Sequence, residues 1–149
     1  MAKLSVLIIG LLAEKDQKPL VIDDLKNGQG TIHYNHNLKE VLVIEDENGG
    51  VTITEDKKKA TGKRWQYDSL RVEFPRTRKN IYATLLDARY PQDIQQKLMN
   101  DYQAAQMEIL EDEEAEAAIA AYRAFLNDRK AIKAMVTADC KEHNIPDDL

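Results

Sequence analysis

Gln92–Ile145, QDIQQKLMNDYQAAQMEILEDEEAEAAIAAYRAFLNDRKAIKAMVTADCKEHNI, contains no glycine and no proline, whereas every glycine of the chain lies at or before Gly62. These two residue types punctuate regular structure, so their absence here marks a helical region. Ile94, Leu98, Tyr102, Ala105 and Ile109 recur at helical spacing and line one face. A second stripe, Ala118, Tyr122, Phe125, Ile132 and Val136, continues to Cys140 in a different phase. Its missing member is Arg129, which must snorkel or find a partner. The acidic cluster Glu111–Glu114 lies between the stripes, with Asp112 as an available N-cap. The change of phase predicts a break there into two antiparallel helices. No turn glycine marks it, so one continuous helix is the competing reading.

Working upstream, Tyr90-Pro91 closes a shorter helix over Ile81–Arg89, because a residue before proline is driven out of the α region. Thr77 or Asn80 can cap its start. Before that the period changes to two. Leu70, Val72 and Phe74 alternate with Arg71 and Glu73 until Pro75. Glu40–Glu55, EVLVIEDENGGVTITE, holds two alternating runs, Val41–Ile44 and Val51–Thr54, around Asn48-Gly49-Gly50, residues that tolerate the positive φ of a tight hairpin turn. Thr31–Tyr34 and Pro19–Ile22 read as short strands. Leu4–Ala13, LSVLIIGLLA, reads as a buried strand with a bulge at Gly10. The expected architecture is a single α+β domain over 1–149. An antiparallel sheet with a hairpin at 40–55 occupies 1–74, and two or three helices occupy 77–143.

A chain of 149 residues is long enough to form a core without staples. Its single cysteine, Cys140, excludes an internal disulfide and suits a reducing compartment. Leu4–Ala13 is too short to span a bilayer, Lys3 alone precedes it as a basic residue, and Leu11-Leu12-Ala13 is a poor cleavage site, so neither a membrane span nor a signal peptide is expected. These features point to the cytoplasm. The formal net charge of −5 is strongly partitioned: −4 over residues 1–55, +6 over 56–91 and −7 over 92–149.

The basic centre carries Lys57, Lys58, Lys59, Lys63, Arg64, Arg76, Arg78 and Lys79, interleaved with Trp65, Tyr67 and Phe74. Basic groups that neutralise phosphate beside aromatic faces that stack bases are the chemistry of single-strand binders. An acidic protein surface is the other partner that fits, and this chain's own helices could supply it from a neighbouring copy. Trp65 and Phe74 are also candidates for the core. The acidic set Glu111, Asp112, Glu113, Glu114 and Glu116 complements a helix dipole at its start and offers a second contact surface.

No catalytic constellation emerges. Gly28-Gln29-Gly30 does not lead from a strand into a dinucleotide-binding helix, and Thr61-Gly62-Lys63-Arg64 lacks the remaining residues of a phosphate loop. Neither Ser5 nor Ser69 sits in a nucleophile elbow. His33 and His36 with Cys140 and His143 form two short-spaced pairs, but neither is a zinc knuckle. No metal, cofactor or enzymatic activity is therefore expected.

YDSLRVEF at Tyr67–Phe74, followed by PRT and NIYATLL, resembles small uncharacterised proteins encoded by bacterial phages and prophages. The likeness covers Trp65 to Cys140 and includes no catalytic motif. It implies a virion or assembly component. The expected function is a non-catalytic interaction protein in an oligomeric assembly, with nucleic-acid binding through 57–79 as the alternative.

Overall fold

The computed structural model describes residues 6–149, so Leu4 and Ser5 of the expected first strand lie outside the described residues. An antiparallel sheet precedes three helices, an α+β arrangement. The chain divides into one unit that ends at Arg76 and a second, Thr77–Leu149.

The N-terminal unit contains β1 (Leu7–Leu12), β2 (Ile22–Asp24), β3 (Ile32–Glu45), β4 (Val51–Ile53) and β5 (Gly62–Val72). The spatial order is β1-β5-β3-β2, and β4 pairs with the far end of β3. β3 organises the sheet. It meets β5 from Ile32↔Val72 to Val43↔Gly62, and its other edge takes β2 at one end and β4 at the other. Ile32, Tyr34, Leu70 and Val72 share one face and are fully buried. The ring of His36 stacks on Tyr34 at 4.8 Å on that same face.

Two bulges shape this sheet. The β1–β5 register shifts between Ile8 and Leu11, where Gly10 has φ +75° and donates its N–H to Asp68 Oδ1 at 3.0 Å. The β3–β5 register shifts between His36 and Lys39, where Asn37 has φ +53° and donates to Asp68 Oδ2 at 2.8 Å. One carboxylate thus pins both irregularities. β1 is a strand as expected but not a buried one. Among the described residues it pairs only with β5, which leaves Ile8 and Ile9 exposed. The hairpin closes through Asp46, whose Oδ1 accepts from the N–H groups of Asn48 and Gly50.

The C-terminal unit contains α1 (Arg78–Arg89), α2 (Gln92–Gln106) and α3 (Asp112–Glu142). Thr77 caps α1 by accepting from the N–H of Asn80 at 3.2 Å. α3, at about 1.5 Å per residue, is roughly 46 Å long, and α1 and α2 lie along it in succession. Tyr90 meets Phe125 and Asp128, while Tyr102, further on, stacks on Tyr122. Partner numbers on α3 fall from Tyr90, just before α2, to Tyr102 within it, the order of an antiparallel pair. Arg129 completes the α3 stripe by donating to the Tyr82 hydroxyl at 3.0 Å. At the far end Arg78 and Lys79 pair with Asp147 and Asp148.

The helix break lies at Met107–Glu111, just before the position expected from the acidic cluster. The Ile109 N–H reaches the Ala104 carbonyl and the Glu108 N–H reaches that of Ala105, the paired bonds of a Schellman motif. Glu108 occupies its left-handed position with φ +56°.

Candidate functional site

The two expected surfaces have different fates. The acidic residues Glu111, Asp112, Glu113, Glu114 and Glu116 stay together, all exposed, at and just inside the start of α3. Three of them, Asp112, Glu113 and Glu114, occupy the first turn, where the helix dipole favours negative charge.

The basic residues are dispersed. Lys57, Lys58 and Lys59 are exposed on a turn held by Asp56, whose Oδ1 accepts from the Lys58 N–H, and Lys63 is exposed near the start of β5. Arg64, also on β5, is half-buried; it pairs with Glu45 at 3.5 Å and donates to the Ala13 carbonyl. Arg76 follows the other end of β5, roughly 30 Å away at about 3.3 Å per residue, and pairs with Asp24. The Lys26 N–H and the Arg76 guanidinium together hold the Asp24 carboxyl below its usual range. Arg78 and Lys79 belong to the helical unit and are paired there; Lys79, its principal partner, also holds the Asp148 carboxyl low. The group without an ion pair among the described residues is therefore Lys57, Lys58, Lys59 and Lys63. Ile53, at the strand end leading into their turn, is 44% exposed.

The aromatic residues do not line a stacking platform along this run. Trp65 is half-buried beneath Lys18, whose Nζ sits 4.9 Å from the ring centroid. Phe74 is outside the core; it lies beyond β5, largely exposed beside Gly30.

The feature that pattern reading missed is the exposure of α2. Its stripe is only partly covered: Ala105 is buried, and Leu98 and Tyr102 are half-buried. Ile94 and Met99 are exposed, and Met107 and Ile109 in the following turn are 71% and 69% exposed. Ile109 falls outside the helix because the Schellman turn ends α2 at Gln106. Two grooves open along the α2–α3 contact. One of about 360 Å³ is lined by Leu98, Leu110, Ala118 and Ala121 with Lys97, Asp101 and Glu114, and the other by Tyr102, Ile119, Tyr122 and Leu126. The hairpin thus combines apolar surface with a rim of acid: residues 92–126 carry a net charge of −6.

A further cleft of about 360 Å³ lies between the β1–β2 connection and the sheet, lined by Glu14, Lys18, Leu20, Asp23, Asn35 and Tyr67 among others. Asn35 is nearly buried and donates to the Leu20 carbonyl, which ties down the connection. Cys140 is buried, and that burial raises its thiol to about 11, the opposite of an activated nucleophile. Among the described residues no group of three or more His, Cys, Asp or Glu side chains could hold a metal ion. No helix formed by them is long and apolar enough to cross a membrane. Comparisons of the chain with protein-family models, with curated proteins and with solved structures find no match.

Proposed function

We propose that this chain is a non-catalytic interaction protein that docks through its α2–α3 hairpin within an oligomeric assembly. The observation that carries this reading is α2 itself. Its apolar stripe buries Ala105, covers Leu98 and Tyr102 only in part along α3 and leaves Ile94 exposed, with Met107 and Ile109 exposed in the turn that follows. Helices in proteins owe most of their stability to burying such a face, and contiguous exposed apolar surface rimmed by charge marks an interaction site. The resemblance of Trp65–Cys140 to small phage-encoded proteins is consistent with an assembly role.

The test is a pair of substitutions at the turn, Met107→Glu with Ile109→Glu. Both side chains are exposed in the chain, so the folded structure tolerates the change and the melting temperature stays within a few degrees. Sedimentation velocity of the wild-type chain at low salt should show species larger than its 17.0 kDa mass, and the double variant should run as a monomer. Association unchanged in the double variant would remove the hairpin from the docking surface.

A further inference from the structure

The cleft between the β1–β2 connection and the sheet is built around a buried amide. Asn35 is 5% exposed and lines the cleft. Its Nδ2 donates to the Leu20 carbonyl at 2.8 Å, and a carbonyl can only accept, so the orientation of the amide is fixed. The atom left over is Oδ1, which is buried and receives no hydrogen bond from any described residue. A buried acceptor of this kind takes its donor from outside the chain. The acidic groups of the lining have the same sense. No ion pair or side-chain hydrogen bond among the described residues engages Glu14 or Asp23. Lys18 is the one cation among the described residues that line the cleft, and its Nζ lies over the Trp65 ring, 4.9 Å from the centroid. Leu12, Pro19 and Leu20 add apolar wall.

We propose that this cleft binds a small primary alkylammonium ion. An ammonium group brings three N–H donors and a positive charge. Asn35 Oδ1 takes one donor, the carboxylates of Glu14 and Asp23 balance the charge, and the alkyl chain lies against the apolar wall. A volume of about 360 Å³ suits a molecule of that size. An anion fits poorly, because it would bring lone pairs to Oδ1 and face two carboxylates while Lys18 is held over Trp65. The cleft offers two carboxylates and neither imidazole nor thiolate, short of a group of three that could hold a metal ion. Every residue used lies in the N-terminal unit, so the inference stands apart from the docking role proposed for the hairpin.

Titration of the isotopically labelled full chain with n-butylammonium chloride, followed by NMR at constant ionic strength, tests this. The side-chain amide resonances of Asn35 and the backbone amides of Lys18, Leu20 and Asp23 should shift and saturate. Tetramethylammonium carries the same charge without an N–H donor and should leave them unmoved. Glu14→Gln with Asp23→Asn should weaken binding by about tenfold or more, with circular dichroism as the check on folding. Lys18→Met should tighten it, because a like charge leaves the lining. Shifts that never saturate, or that tetramethylammonium reproduces, would overturn the inference. Inorganic phosphate that saturates the same resonances, and loses its effect in Lys18→Met, would overturn it as well and make the cleft an anion site.

Discussion

Glu108 sits where a glycine is usual. It has φ +56° at the left-handed position of the turn that ends α2, and no Cβ-bearing residue adopts that conformation without cost. Glu108→Gly should therefore stabilise the folded chain by up to about 1 kcal/mol, and the β-branched Glu108→Val should cost about 1 kcal/mol or more, read from denaturant melts. Cys140 makes a second residue-scale prediction. Burial, reinforced by Asp139, raises its thiol from 9.0 to about 11. A group whose folded value lies above its unfolded one stabilises below the unfolded value, and that contribution fades as pH rises through the folded value. Thermal stability should fall between about pH 9 and 11, and less so in Cys140→Ala. A thiol reagent should react slowly with the native chain at pH 8 and rapidly in denaturant. Fast native reaction would contradict the burial of this side chain.

At the scale of elements, legibility followed periodicity. The hairpin was readable because Asn48-Gly49-Gly50 states its turn chemistry. β3 was not readable as one strand, because the bulge at Asn37 changes its phase: Ile32 and Tyr34 face the same way as Val41 and Val43, across a shift from even to odd numbers. The first half of β5 hid for another reason. Arg64, Gln66 and Asp68 are polar on the face that Leu70 and Val72 continue, so no alternation shows. The helix break was visible as a phase change but lacked its signal residue, since glutamate occupies the left-handed position. The proposed docking surface was half legible. The acidic residues were readable, but a stripe of apolar residues looks the same whether its own chain or a partner covers it. Stability separates the two cases. Ile132→Ala, in the buried α3 stripe, should cost about 2–5 kcal/mol, while Ile94→Ala, on the exposed α2 stripe, should stay within about 0.5 kcal/mol. Equal losses at both sites would mean that Ile94 is packed within its own chain.

At the scale of the whole molecule, charge is sorted along the sequence and then redistributed by folding. Arg64, Arg76, Arg78 and Lys79 are taken up by Glu45, Asp24, Asp147 and Asp148, while Lys57, Lys58 and Lys59 stay exposed beside Glu55 and Asp56 and the acidic residues stay together at the start of α3. Attraction between such exposed surfaces is screened over about 10 Å at 0.1 M salt. The exposed apolar side chains of α2 and the turn after it are not screened, so salt should weaken the proposed association without removing its apolar part. The most direct measurement is sedimentation velocity of the unmodified chain across a salt series from about 20 mM to about 500 mM. Species larger than 17.0 kDa at low salt that shift towards the monomer as salt rises are the expected result; a monomer at every salt concentration, with no association to titrate, would contradict the account.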